Sequence, residues 1–155
     1  MSEDTLIPVT IALSLLIFAL SWLSVGFIIT RFTAWGDLVE RYSDKATARS
    51  LGTFRLQGAY VGREKLGASY RGCLTFTATN RGLRNAIWKI FAPFVPPILI
   101  GWDEIETQHA KAMMFDMVRL RVGRRGSIWI TIAPSLARGI ERVSDGQFAL
   151  PTSGE

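Results

Sequence analysis

The chain has 155 residues, 48% of them hydrophobic and 20% charged, with 18 Lys and Arg against 13 Asp and Glu. That length serves one hydrophobic core and excludes a multidomain enzyme. A single cysteine, Cys73, and a single histidine, His109, exclude a disulfide scaffold and the clustered ligands of a zinc or haem centre.

Thr5 to Thr30 forms a run of 26 residues without a charged side chain. As a helix it rises about 39 Å at ~1.5 Å per residue, enough to cross a hydrocarbon core of about 30 Å. Pro8 stands near its start, where a missing N–H costs little. A cleaved signal peptide requires a basic leader, a shorter apolar core and small residues before the cut. The acidic Glu3 and Asp4 and the bulky Phe27-Ile28-Ile29 meet none of these requirements. Residues 1–31 are therefore expected to be an uncleaved tail and transmembrane helix, with Trp22 among its lipid or partner contacts. No Lys or Arg precedes the run, whereas Arg31, Arg41, Lys45 and Arg49 follow it closely. The positive-inside rule then places the N-terminus outside and the rest in the cytoplasm, at an inner membrane. Setting aside Glu3 and Asp4 leaves 18 basic and 11 acidic side chains, a net charge of +7, which attracts the chain to an anionic leaflet.

Residues 32–51 follow as a juxtamembrane helix and linker. Phe32, Trp35, Val39 and Tyr42 recur at three- and four-residue intervals, with Leu38 beside them, so one apolar stripe is expected. Trp35 is placed at the headgroup level as part of an aromatic belt and Tyr42 against the domain that follows, with Phe32 and Trp35 among the membrane or partner contacts.

From Gly52 the period changes to alternation, the signal of strands. Phe54, Leu56 and Tyr60 share one face; Leu74, Phe76 and Ala78 point inward, with Cys73 and three threonines outward. Asn80-Arg81-Gly82 supplies turn chemistry for a hairpin into Leu83 to Phe91. Val118, Leu120 and Val122 alternate, as do Ile128, Ile130 and Ile132, joined by Gly123-Arg124-Arg125-Gly126. After Pro134 a helical stripe returns with Leu136, Ile140 and Val143. The expected fold is mainly β with helices: a transmembrane helix, a domain over 52–144 of six or seven short antiparallel strands forming a small barrel or bent sheet, and a C-terminal amphipathic helix on it. Residues 145–155 lack periodicity and read as a flexible tail.

This strand order with a terminal amphipathic helix resembles the pleckstrin-homology and GRAM-like superfold. The segment Pro96-Pro97-Ile98-Leu99-Ile100-Gly101-Trp102-Asp103-Glu104-Ile105 also looks like one found in small bacterial single-pass membrane proteins. Pleckstrin-like domains commonly bind phosphoinositides through basic residues in the first strand loop. The matching loop here is Gly62-Arg63-Glu64-Lys65, in which Glu64 departs from a basic pocket.

Ala86 to Trp102 is the most apolar part of the domain, but Lys89 and three prolines exclude a second span. Two buried strands joined by a proline-rich loop satisfy the pattern. In the alternative, Trp88, Phe91, Phe94 and Val95 are exposed at the loop and contact the bilayer or a neighbouring membrane protein.

Asp103, Glu104, Glu106 and His109 form the only acidic and imidazole grouping. On a strand, Glu104 and Glu106 share a face opposite Asp103, so a solvated face is favoured over a catalytic or metal-binding set. No phosphate-binding glycine loop, nucleophile elbow or His-Glu-x-x-His occurs. No catalytic residue, cofactor or metal site is assigned. Arg119, Arg121, Arg124 and Arg125 gather along one strand and its turn, with Trp129 across the hairpin; arginine forks suit phosphate, so anionic lipid headgroups are the ligand considered. Nucleic acid is the weaker target, since the anchor confines the domain to a membrane surface. The leading expectation is a non-enzymatic accessory or assembly subunit that docks on a larger membrane protein complex. The alternatives are a sensor of anionic headgroups and a hydrolase using Asp103, Glu104 and His109.

Overall fold

The computed structural model describes residues 3–43, 47–63, 66–123 and 127–152 and, within them, the side chains outside 3–4 and 29–32. Helix α1 (Glu3–Phe32) carries no amphipathic stripe, and its apolar side chains from Leu6 to Ile28 are exposed. Its segment Thr5–Ile28, with a mean hydropathy of 2.3, is long and apolar enough to cross a membrane. The hydroxyls of Thr10 and Ser24 donate to the carbonyls of Leu6 and Leu20 at 2.8 and 2.7 Å. These two hydroxyls are thus satisfied within the helix, as an apolar solvent demands.

Thr33 adopts an extended conformation and breaks the helix, and α2 (Ala34–Tyr42) restarts from it. Ala34, Trp35 and Leu38 are buried, while Val39 and Tyr42 pack at the margin of the core. Asp37 in the first turn pairs with Arg63 at 2.6 Å, tying the helix to the end of the first strand. Both side chains are part-exposed, so the pair sets orientation more than stability.

Seven antiparallel strands follow: β1 (Ser50–Arg63), β2 (Leu66–Thr79), β3 (Gly82–Ile87), β4 (Ile98–Gly101), β5 (Ile105–Ala112), β6 (Phe115–Val122) and β7 (Ile128–Ile132). They form one sheet in the order β4-β3-β2-β1-β7-β6-β5, curled into a half-barrel. β1 pairs with β2 along most of its length and, through Ala59 to Arg63, also with β7, so it belongs to both halves. Leu74, Phe76, Leu83, Ile98, Leu120 and Ile130 fill the concave side with no more than 1% exposure. Helix α3 (Pro134–Val143) begins on its proline, whose fixed φ suits a first helical position. It lays Leu136, Ala137 and Ile140 on the sheet. Gly139 lets Phe54 come close: a Cβ there would sit 2.7 Å from the ring.

The β2–β3 hairpin, the inward rows Val118-Leu120-Val122 and Ile128-Ile130-Ile132, and the terminal helix stand where the periodicity puts them. Four local expectations are corrected. Register shifts around Leu56, which has φ +54°, change the phase of β1, so that Ala59 and Val61 face inward while Leu56 and Tyr60 are exposed. Thr77 and Thr79 are buried, not outward to solvent; Thr79 is held by the turn that follows and Thr77 lies 3.4 Å from the Thr53 hydroxyl. Trp102–Glu104 is a single 3-10 turn, so the alternation of β5 starts only at Ile105 and Glu104 shares no strand face with Glu106. The stretch read as a tail is packed as far as Leu150. Phe148 is buried against Trp102, the Thr107 hydroxyl donates to the Ala149 carbonyl, and Leu150 N–H donates to Glu141.

Candidate functional site

The segment between β3 and β4 carries most of the sequence-named apolar contacts. Its backbone is knotted locally: Trp88 N–H donates to the Cys73 carbonyl at 2.7 Å, Phe91 and Ala92 N–H to the Trp88 carbonyl, and Val95 N–H to the Ala92 carbonyl. Ala92 is buried and Val95 half-buried, whereas Trp88, Ile90 and Phe91 are exposed and Phe94 is 79% exposed. The structure therefore combines both sequence readings, with two core strands and an apolar loop presented between them.

This loop rests on α1. The Trp22 indole N–H donates to the Ile90 carbonyl at 3.3 Å, and the Trp22 ring lies 6.1 Å from Phe91 and 6.2 Å from Phe18. Trp88 extends the cluster, 5.9 Å from Phe91. Gly26 makes the approach possible, because a Cβ there would fall 2.8 Å from the Phe91 carbonyl oxygen. Trp22, Trp88 and Phe91 are thus one aromatic group, with Phe94 and Val95 further along the same loop. Pairing of the Trp88, Phe91, Ala92 and Val95 amides lowers the cost of placing this loop beside lipid, and Trp and Phe suit the interfacial level.

Trp35 is not part of that surface. It is 1% exposed and packs on Tyr70 with ring centroids 5.6 Å apart. The three- and four-residue stripe that suggested a headgroup belt faces the sheet, because α2 turns away from α1 at Thr33. The side chain of Phe32 lies outside the described residues.

Arg119 and Arg121 occupy the convex face of β6, where both are part-buried. The Arg119 guanidinium stands 5.3 Å over the Trp129 ring. Trp129 is the direct cross-strand partner of Arg121, which is flanked on its other side by Glu106. Gly62 gives the indole room, since a Cβ there would meet Trp129 Nε1 at 2.8 Å. The arginine row is therefore stacked on an aromatic and faced by a carboxylate, an arrangement that rigidifies it and offsets part of its charge. Arg124 and Arg125 lie outside the described residues.

The acidic grouping is spread out. Asp103 and Glu104 sit on the 3-10 turn, with Glu104 close enough to Tyr42 to act on its phenol. Burial first, and the neighbouring Glu104 next, push the Tyr42 phenol above its ordinary value. Glu106 and His109 lie on β5. Among the described residues no three or more His, Cys, Asp and Glu side chains gather as metal ligands would.

One apolar surface has no counterpart in the sequence-derived residue set. β6 pairs with β7 only from Val118 onward, while the β5–β6 hairpin continues through Ala110–Met117, Lys111–Asp116 and Ala112–Phe115. Those three rungs overhang the sheet by about 10 Å at ~3.4 Å per residue. At the tip Met113 is 96% exposed, Met114 95% and Phe115 72%. The signal that could have found it is three consecutive apolar residues in a turn, flanked by Lys111 and Asp116 and lacking glycine or proline.

The chain matches no protein-family model and no curated protein.

Proposed function

We propose that the protein is a non-enzymatic, single-pass inner-membrane protein that acts as an accessory or assembly subunit of a larger membrane protein complex. In this reading α1 is the anchor, with the N-terminus outside and the sheet in the cytoplasm. The sheet is a pleckstrin-like domain. Its four-strand meander β1–β4, three-strand meander β5–β7 and closing α3 support that finer assignment.

The observation that carries the docking role is the overhanging tip of Met113, Met114 and Phe115. Contiguous exposed apolar side chains mark contact surfaces, and methionine adapts its unbranched thioether to irregular partner pockets. The tip is separate from the aromatic loop, which α1 already engages through Trp22 and Gly26.

Mild solubilisation of native membranes followed by affinity isolation tests the reading. The parent chain is expected to retain a membrane protein partner in fixed ratio, and Met114→Asp with Phe115→Ser to lose it while keeping the same circular dichroism. Isolation of a lone monomer, or retention unchanged by the tip substitutions, contradicts docking through this hairpin.

A further inference from the structure

We propose that the cleft between the last turns of α1 and the bulged part of β2 binds one anionic membrane phospholipid, its phosphate held by Arg71 and its chain lying on Trp22, Val25, Ile87 and Phe91. The site is independent of the docking tip and of the arginine row on β6.

The bulge aims the cation. Gln57 pairs with Leu74 and Ala59 with Tyr70, so Arg71, Gly72 and Cys73 all stand opposite Gly58. Gly72 has φ +65°, a conformation that glycine adopts without a Cβ penalty. Bulges of this kind re-aim side chains out of the alternating pattern. Here Arg71 and Cys73 both line the cleft, whose other walls are α1 and the β3–β4 loop.

The cleft suits a chain and a phosphate together. Its volume is about 260 Å³ and its walls are predominantly apolar. That is just below the roughly 300–1,000 Å³ of pockets that enclose a whole small ligand. It fits instead part of a molecule whose remainder stays in the surrounding medium. Trp22 and Val25 belong to the helix that is apolar enough to span a membrane, so this wall is continuous with the surface that faces lipid. Arg71 is exposed, and among the described residues its guanidinium has no ion pair or side-chain hydrogen bond. An unpaired guanidinium at an apolar margin offers a fork to a phosphate diester.

The level is also right. A hydrocarbon core of about 30 Å takes roughly 20 helical residues, whereas Thr5–Ile28 supplies 24. With Thr5 at the outer boundary, the hydrocarbon ends near Ser24. Val25 and Gly26, and the cleft beside them, then stand where glycerol and phosphate begin.

Cys73, the chain's one thiol, lines the same cleft and reports its occupancy. The full-length protein in dodecyl maltoside micelles is doped with either dioleoyl phosphatidylglycerol or dioleoyl phosphatidylcholine, and the alkylation rate of Cys73 by a maleimide is followed at fixed pH. Phosphatidylglycerol is expected to slow the reaction at least about fivefold relative to phosphatidylcholine, because the guanidinium fork holds its phosphate by charge-assisted hydrogen bonds. Arg71→Ala should remove that difference and Arg71→Lys should keep part of it, with circular dichroism unchanged in both. The double variant Arg119→Ala with Arg121→Ala should behave as the parent. Equal rates with the two lipids, full protection surviving Arg71→Ala, loss of protection in the β6 double variant, or equal protection by inorganic phosphate overturns the assignment. Because the purified chain is used, neither outcome depends on whether a protein partner docks at the hairpin tip.

Discussion

Gly26 on α1 and Phe91 in the β3–β4 loop meet so closely that a Cβ at position 26 would lie 2.8 Å from the Phe91 carbonyl oxygen. The neighbouring atom is backbone, so it cannot swing aside as a side-chain end would. Gly26→Val is therefore expected to lift the loop from the helix and break the Trp22–Ile90 hydrogen bond. Overpacking of this kind costs about 1–3 kcal/mol. Thermal unfolding of the purified protein in detergent should show the loss, with a red-shifted tryptophan emission; an unchanged transition would mean that helix and domain do not dock.

The β2–β3 turn depends on one hydroxyl. Thr79 Oγ1 accepts from the amides of Arg81 and Gly82 at 3.2 and 3.0 Å and donates to the Gly82 carbonyl at 2.7 Å. Thr79 is fully buried, so Thr79→Val keeps the shape and leaves those groups without their partner. A loss of about 1–3 kcal/mol is expected from such an unsatisfied set, measured by chemical denaturation. Thr53→Val, at a more exposed position with two long contacts of 3.5 and 3.4 Å to the Ser50 and Thr77 hydroxyls, should cost far less.

How much of this was legible depends on where alternation holds. In β6 and β7 every second residue faces the core, and the periodicity alone identifies the inward set. In β2 it identifies Leu74, Phe76 and Ala78 as the inward row, whereas in β1 it misleads, because positive φ at Leu56, a non-glycine residue that gives no such signal, shifts the phase. The stripe on α2 was visible, but which surface it met was not. Trp35 lies close to α1 in sequence yet packs on Tyr70, since the break at Thr33 reorients the helix. Of the contact surfaces, the aromatic loop could be read from its composition. The Met113-Met114-Phe115 tip had a signal in its three consecutive apolar residues, but that the hairpin overhangs depends on where its neighbour β7 stops, which the sequence does not show. The Arg71 cleft is formed by elements far apart in sequence.

Alkaline pH should weaken the fold through two tyrosines. Burial raises the Tyr70 phenol above its ordinary value, and burial with Glu104 nearby does the same for Tyr42. A raised folded-state value means that the unfolded chain loses the proton first. The stabilisation is therefore complete below about pH 10, the unperturbed tyrosine value, and is lost as pH rises through the higher folded values. Denaturation midpoints measured from pH 8 to 11.5 should be flat and then fall. Tyr70→Phe should flatten part of that fall, and an equal fall in parent and variant would contradict the assignment.

The most direct test of the docking reading is a photocrosslinking amino acid placed at Met114 in the full-length chain and activated in native membranes. We expect a discrete protein adduct from position 114, none from an equivalent probe at the solvated Arg138 on α3, and loss of the 114 adduct when Phe115 is changed to Ser. Adducts to lipid alone, or no adduct at position 114 despite normal membrane insertion, would show that the hairpin tip does not meet a protein partner.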